Sequence, residues 1–191
     1  MRSSPRTTPT RARLGGTATV LAALCYGAAG YLDRPSISGY IDALLSVLNV
    51  AFPALFLGGL LGLQARLPAA TQTDFASSAG IVGFVFGCFG AVLGIAGELG
   101  LAVTAWTDWW WVLMLAGLTL MGLAASLTGG LRLLGAVVSI SGALGWVSLL
   151  TDPAFPGVLM PMRSVHVVFA AAFCLSVVVW GTVLMAPHKH R

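Results

Sequence analysis

Residues 76–103 read ASSAGIVGFVFGCFGAVLGIAGELGLAV, an apolar run with one charged side chain, Glu98. A helix that crosses a bilayer needs about 20 predominantly apolar residues, so this run is long enough to span a membrane. Five further runs of similar character lie at about 14–32, 41–65, 109–127, 131–150 and 164–186. We therefore predict an all-α, polytopic integral membrane protein. It is a six-transmembrane-helix bundle with short loops, forming one domain over residues 14–186.

Composition excludes the main soluble classes of protein. Hydrophobic residues make up 58% of the chain and charged residues 8%, with a mean hydropathy of +0.92. Soluble domains carry about 25% charged residues, and disordered chains have low hydrophobicity. The only predicted non-membrane parts are a disordered basic tail at 1–13 and a short basic tail at 187–191. A nucleic-acid partner is not expected, because a binder would gather its basic residues in one folded patch.

The basic residues predict the orientation of the chain. Arg2, Arg6, Arg11 and Arg13 precede the first apolar run. With the N-terminus in the cytoplasm, every Lys and Arg except Arg34 and Arg163 falls on the cytoplasmic side, as the positive-inside rule requires. The richness in Arg, Ala and Gly indicates a GC-rich bacterial genome. We predict a bacterial cytoplasmic (inner) membrane protein with both termini in the cytoplasm.

The first apolar run has a second interpretation. A basic start followed by an Ala-rich apolar run is also typical of a secretory signal peptide, and its cleavage would leave five helices. The run over 14–32 is long enough to span, and an even number of spans keeps the basic residues around Lys189 inside. We therefore prefer six helices.

Aromatic residues are expected at the two membrane surfaces, because Trp and Tyr favour the headgroup region. With this topology, most of them fall near the outer surface and Trp180 falls near the inner one. The outer set is Tyr31, Tyr40, Trp106, Trp109, Trp110, Trp111 and Trp146.

Small residues form a stripe along the third helix. They recur at spacings of three and four, which places them on one helix face: Gly80, Gly83, Gly87, Gly90, Gly94 and Gly97. Small residues let helix backbones approach closely in lipid. We therefore predict that the third helix is central and the most buried. Its stripe is expected to pack on a weaker stripe of the fifth helix or on a second copy of the chain. The alternative is a groove for a flat ligand such as a quinone, a carotenoid or a lipid chain.

The weaker stripe on the fifth helix consists of Gly135, Ser139, Gly142 and Gly145.

A few polar residues could form an ion or proton site. Glu98 is predicted to lie one to two turns inside the outer surface, where a carboxylate is costly and often functional. Its same-side neighbours are Arg34, Arg163 and His166. Asn49 lies four residues before Pro53, where the proline is expected to kink the second helix. Each has a structural alternative: an ion pair for Glu98, interfacial hydrogen bonding for His166 and a packing kink for Asn49.

Motifs for catalysis and cofactors are absent from the sequence. There is no phosphate-binding glycine loop with Lys, no H-E-x-x-H and no G-x-S-x-G. The three cysteines, Cys25, Cys88 and Cys174, lie far apart, so zinc and redox spacings are missing. We expect no catalytic residues, no bound metal and no cofactor.

These observations favour a non-catalytic structural or accessory membrane subunit. Its partners would be the lipid bilayer, other membrane subunits or further copies of itself. The alternative is a small cation or proton-coupled channel or transporter that uses Glu98 and an acidic outer face, which would concentrate cations.

Overall fold

The computed structural model describes residues 7–32, 40–67, 75–101, 109–128, 130–152 and 163–186, and within these ranges every regular element is a helix. Five of the six helices, α2 to α6, are long and apolar enough to cross a membrane. The predicted helical bundle of membrane type is confirmed to this extent. The helices are α1 Thr7–Leu32, α2 Tyr40–Gln64, α3 Phe75–Glu98, α4 Trp110–Leu127, α5 Arg132–Thr151 and α6 Arg163–Met185.

The six helices are arranged as a ring in chain order. Each helix packs on the next one along the chain, and α1 packs on α6 to close the ring. Glycine backbones allow the closest approaches of α1. A Cβ atom on Gly16 would meet the Gly181 oxygen of α6 at 2.6 Å, and one on Gly62 of α2 would meet the Gly15 Cα at 2.7 Å. Small residues therefore integrate α1, the one described helix that is not among the five candidate spans, into the bundle.

Two predicted boundaries are corrected by the structure. The first helix begins at Thr7, so residues 7–13 are helical rather than part of a disordered tail. Residues 1–6 and 187–191 lie outside the described part of the chain. The third helix ends at Glu98 rather than near residue 103. The apolar run suggested a longer helix, but Gly100 ends it with a left-handed backbone, φ 67°.

The turn at the end of α3 is a Schellman motif. The Gly100 N–H donates to the Gly97 oxygen at 3.0 Å, and the Leu101 N–H donates to the Ala96 oxygen at 2.9 Å. Both bonds satisfy carbonyl groups that would otherwise lack partners at the helix end. Glycine is preferred here because other residues are strained at positive φ.

Gly100→Ala should therefore weaken this helix end without any steric clash. An added Cβ at Gly100 meets nothing within 4 Å, so backbone strain of about 1 kcal/mol is the expected cost. Hydrogen exchange of the amides of residues 100 and 101, the two donors of the motif, should become faster, while the midpoint of unfolding falls only slightly. Unchanged exchange at both amides would contradict the motif.

The glycine stripe of α3 packs on α4. Gly80 faces Ala124, Gly83 faces Met121, Gly87 faces Gly117, Gly90 faces Met114 and Gly94 faces Trp110. The pairing runs in opposite directions along the two helices, so α3 and α4 are antiparallel with one regular register. A Cβ on Gly90 would lie 2.6 Å from the Met114 nitrogen, which shows how closely the two backbones approach.

The small residues of α5 pack on a second face of α4. Gly135 lies against Ser126, Gly122 lies against Ser139, and Gly142 lies against Thr119. The predicted pairing of the two stripes with each other is therefore wrong, because α4 lies between them. Small residues indicate that a backbone approaches closely, but they do not specify which helix supplies it.

The prediction that α3 is the central helix is also wrong. The side of α3 opposite the glycines is exposed and apolar, with large side chains. We call this surface the apolar α3 face; it consists of Ile81, Val82, Val85, Phe86, Phe89 and Val92. The helix is thus buried on its glycine side and open on the other.

Aromatic side chains from α1, α2, α4 and α6 contact one another inside the bundle. The Trp180 ring is fully buried and meets the Phe56 ring edge-on, with centroids 5.5 Å apart. Trp110 and Trp111 pack against Phe52, also in the interior. The rings of these three tryptophans therefore pack inside the bundle, and their depth near the membrane surfaces stays a prediction. A Trp near a helix end can point into the bundle as readily as towards the headgroups.

Charges in the described helices separate between the two ends of the bundle, with the exception of Arg163, which begins α6 at the acidic end. Arg11, Arg13, Arg66 and Arg132 lie at one end, at or near the starts of α1 and α5 and the end of α2. Three acids lie at the opposite end, namely Asp42 at the start of α2, Glu98 at the end of α3 and Asp152 after α5.

Arg66 ties the end of α2 to the end of α6. Its Nη2 donates to the Leu184 oxygen at 2.9 Å and to the Ala186 oxygen at 2.8 Å. A cation at a helix C-terminus satisfies its last carbonyls and offsets the negative end of the helix dipole. Burial, together with the nearby charge of Arg13, lowers the pKa of Arg66, but a guanidinium stays protonated at neutral pH.

Arg66→Gln should lower the free energy of unfolding by about 1 to 2 kcal/mol, because two charge-assisted hydrogen bonds are lost at a partly exposed site. Arg66→Lys should recover part of the loss. The exposed Arg132, at the N-terminus of α5, is the matched control. Its change to Gln removes a cation from the positive end of a helix dipole and should not destabilise. Equal melting temperatures for Arg66→Gln and Arg132→Gln would refute the capping role.

Candidate functional site

A cavity of about 130 Å³ lies between helices at the acidic end of the bundle. Four helices contribute to its walls: α1, α4, α5 and α6. Three aromatic rings, two small polar or charged groups from α5 and one histidine converge there. The lining residues are Tyr26, Trp111, Gly145, Ser148, Leu149, Asp152, His166 and Phe173.

The aromatic walls are fixed by contacts between the rings. Tyr26 meets Trp111 edge-on with centroids 5.4 Å apart, and it meets Phe173 at right angles with centroids 5.8 Å apart. Trp111 and Phe173 meet edge-on at 6.5 Å. Edge-to-face pairs of this kind are favourable and hold each ring in one orientation. Gly145 leaves the space beside Phe173 open, because a Cβ there would lie 3.2 Å from that ring.

His166 is held by the end of α5. Its Nδ1 lies 2.9 Å from the Ser148 carbonyl oxygen. A carbonyl only accepts hydrogen bonds, so Nδ1 carries the proton, and in the neutral ring Nε2 keeps its lone pair. The Thr151 hydroxyl donates to the same carbonyl at 3.1 Å. The imidazole is therefore oriented by backbone structure and retains one nitrogen for a ligand.

Polar groups of α5 complete the site. The buried Ser148 side chain and Tyr26 both line the cavity. Asp152 is the residue that ends α5, and its N–H donates to the Leu149 oxygen at 3.2 Å. Ser148 and Asp152 are four residues apart, so they lie on one face at the last turn of the helix. Together they direct a hydroxyl and a carboxylate to one cavity.

The structure brings only part of the predicted ion or proton site together. His166 lines the cavity, whereas Glu98 and Asn49 do not. Glu98 is exposed in the last turn of α3, and Asn49 is half-buried one turn before Pro53, through which α2 continues as one helix. The expected depth of Glu98, one to two turns inside the outer surface, depended on a longer third helix. The side chain of Arg163 lies outside the described part of the structure, although its backbone begins α6.

Tyr26, Trp111 and Ser148 were not predicted as site residues. The spacing of Ser148 and Asp152 was the one signal in the sequence, since polar residues four apart at a helix end share a face. Tyr26 lies within an apolar run, and nothing local distinguishes it from a packing residue. Only the ring closure of α1 on α6 brings it to the cavity.

The described residues contain no cluster of side chains typical of a metal site and no pair of cysteines. No group of three or more His, Cys, Asp or Glu side chains is found close together there. The three cysteines are free and half-buried on separate helices. His166 and Asp152 are two ligands of the type that binds metals, fewer than structural or catalytic sites use.

Comparison with known proteins yields no relatives. No protein-family model matches the chain, and neither a curated protein nor a solved structure matches it. The function therefore has to be argued from the residues and their geometry alone.

Proposed function

We propose that the chain is a six-span protein of a bacterial cytoplasmic membrane, with both termini in the cytoplasm, that serves as a non-catalytic structural or accessory subunit. Five candidate spans and the close packing of α1 on α2 and α6 support six crossings. The clustering of Arg11, Arg13, Arg66 and Arg132 at one end supports the orientation, because basic residues favour the cytoplasmic side.

One observation carries the accessory role. The glycine stripe of α3 is used inside the bundle, and the apolar α3 face bears large side chains that face outward. A helix packed rigidly on one side offers a preorganised surface on the other. Phe86 and Phe89 on this surface are side chains that can fill grooves on a partner helix by close packing, the main force between helices in lipid.

Crosslinking from the membrane tests this role. A photoreactive amino acid at Val85, on the apolar α3 face, should capture one protein in stoichiometric amounts, identified by mass spectrometry after purification in mild detergent. The same substitution at Val168, an equally apolar and exposed position on α6, is the control. If the crosslinked protein is a second copy of the chain, the partner is the protein itself and the assembly is a homo-oligomer. Lipid adducts alone from Val85 would overturn the proposal.

A second candidate function is binding or transport of a cation, and the cavity favours it. It holds the Asp152 carboxylate and a His166 ring nitrogen available as an acceptor at the acidic end of the bundle. We therefore propose Asp152, rather than Glu98, as the carboxylate of this site.

Cation flux into liposomes separates the two carboxylates. If the cavity is the site, Asp152→Asn should reduce flux at least tenfold and Glu98→Gln should leave it unchanged. The reverse pattern would restore Glu98 as the site. The absence of any flux in the unchanged protein would remove the transport function and leave the accessory role.

A further inference from the structure

A groove of about 680 Å³ runs between α1 and α2 at the basic end of the bundle, where Arg11 lies. Its volume falls in the range of about 300 to 1,000 Å³ that is typical of sites for small organic molecules. The lining residues extend from Arg11 to Ala18 along α1, a distance of about 10 Å along a helix. Among the described residues, the groove shares no lining residue with the cavity at the acidic end.

Small residues form the floor of the groove, because the two helices approach each other there through their backbones. A Cβ atom on Gly15 would lie 2.9 Å from the Gly58 oxygen, and one on Gly58 would lie 2.9 Å from the Ala18 Cβ. Leu14 of α1 and Leu61 of α2 also line the groove and are 66% and 53% exposed. The groove therefore presents an apolar surface that is open to the surrounding lipid.

The polar residues of the groove lie together at one end. Arg11 is near the start of α1 and Gln64 is the last residue of α2, and these two helix ends meet at the basic end of the bundle. Arg11 is exposed, and every acid among the described residues lies at the opposite end, so no described carboxylate neutralises its charge. The Gln64 amide oxygen is buried without a hydrogen-bond partner among the described residues. The amide therefore gains a hydrogen bond if it turns towards a polar group of a ligand.

This distribution of polarity matches a lipid with an anionic headgroup. A guanidinium forms paired hydrogen bonds with phosphate oxygens, and basic pockets between membrane helices bind the headgroups of anionic lipids. An acyl chain is complementary to the apolar part of the groove, which a free phosphate ion would leave empty. A helix of a second copy is about 10 to 12 Å across, so it would contact the groove over only about two turns.

We propose that this groove binds an anionic phospholipid, with its phosphate at Arg11 and one acyl chain along the small residues between α1 and α2. The inference goes beyond the accessory role, and it requires only that the bundle lies in a membrane. A lipid that contacts both helices fastens α1, which is not among the five candidate spans, to α2.

Native mass spectrometry of the purified full-length protein in mild detergent tests the charge requirement. Dioleoyl phosphatidylglycerol and dioleoyl phosphatidylcholine have the same acyl chains and differ in the net charge of the headgroup. Phosphatidylglycerol should bind about fivefold more tightly or better, because one arginine near an anionic headgroup contributes about this factor. Equal affinity of the two lipids would overturn the proposal. Glycerol phosphate that binds as tightly as phosphatidylglycerol would also overturn it, because no acyl chain would then contribute to binding.

Substitution of Arg11 locates the headgroup. Arg11→Gln should weaken phosphatidylglycerol binding by about fivefold and leave phosphatidylcholine binding unchanged. Arg11→Lys should recover part of the loss, because lysine keeps the charge without the paired hydrogen bonds. Arg132→Gln is the matched control, since Arg132 is exposed at the same end of the bundle and does not line the groove. Equal losses for Arg11→Gln and Arg132→Gln would indicate a general attraction of anionic lipid to this end and would refute the site.

Substitution of Ala65 tests the apolar part of the groove. Ala65 is half-buried and lines the groove, so Ala65→Leu places a larger side chain in the space of the acyl chain and should weaken phosphatidylglycerol binding. Ala136→Leu, at an exposed alanine of α5, is the control. A melting temperature within a few degrees of the unchanged protein shows that a variant is folded, and the Arg11 variants decide the question if Ala65→Leu is not. Full affinity in a folded Ala65→Leu protein, or conversion of a dimer to a monomer by this change, would contradict a lipid in the groove.

Discussion

Gly117→Ala should be among the most destabilising single-methyl changes in the described helices, lowering the free energy of unfolding by about 3 kcal/mol or more. Its Cβ would lie 2.6 Å from the Gly87 Cα and would also meet the Gly83 oxygen. Both are backbone atoms of α3 and cannot rotate aside, so the helices would have to separate along their whole contact. An extra methyl group in a packed core lowers the free energy of unfolding by about 1 to 3 kcal/mol when neighbouring side chains can move aside. No side chain can move aside here, so the loss should be at the upper end of this range or above it.

Two other glycines provide controls for the same substitution. Gly30 of α1 has nothing within 4 Å of an added Cβ, so Gly30→Ala should stabilise slightly by improving helix propensity. Gly80→Ala would make tight contacts at 3.3 and 3.4 Å, but both are with side-chain atoms, so it should cost much less than Gly117→Ala. Unfolding in mixed SDS micelles, followed by circular dichroism, ranks the three variants. A Gly117→Ala protein as stable as Gly30→Ala would show that α3 and α4 are not in contact there.

Trp180→Ala should have the next largest effect, a loss of about 2 to 4 kcal/mol. The ring is fully buried among α2 and α6 side chains, and Gly59 leaves space for it. Truncation of a buried Trp costs about 3 to 5 kcal/mol in soluble proteins. We expect a smaller loss because the unfolded reference in lipid or detergent still shields the indole from water, so mainly packing contacts are lost.

Trp180→Phe distinguishes the contribution of the packed ring to stability from that of its N–H group. Among the described residues, the buried indole Nε1 has no hydrogen-bond partner, which costs free energy in the folded state. Phenylalanine removes that unpaired donor and keeps most of the contact with Phe56, so its unfolding free energy should stay within about 1 kcal/mol of the unchanged protein. Trp109→Ala, at a half-exposed tryptophan, should also cost less than about 1 kcal/mol. Equal losses for Trp180→Ala and Trp109→Ala would place Trp180 outside the core.

The two glycine-containing interfaces of α4, with α3 and with α5, hold this helix rigidly, and this rigidity affects the candidate site. A helix held by backbone contacts on both sides has little freedom to move, because a shift of either neighbour loses contacts along the full length. The cavity is built at the N-terminal half of this helix, where Trp111 lies. Its walls are therefore preorganised, which favours binding because little ordering remains to be done when a ligand enters.

Much of the candidate site could not be predicted from the sequence. Tyr26 and His166 are far apart along the chain, and periodicity within one helix does not indicate which other helix its polar face meets. Glu98 was favoured because it is the single acid within a long apolar run. The structure instead ends α3 at this residue and exposes it, and the Gly100 that ends the helix was visible in the sequence.

The sequence by itself determined the helices and their character. Apolar runs of sufficient length predict membrane helices because the backbone must satisfy its own hydrogen bonds in lipid, and glycines at spacings of three and four predict a face of close approach. The pairing of that face was decided by tertiary structure. The stripe packs on α4 rather than α5 because Gly117 opposite Gly87 permits backbone contact, and complementarity of two surfaces is not a property of either sequence segment alone. The cavity has the same origin, since it exists only where four helices meet.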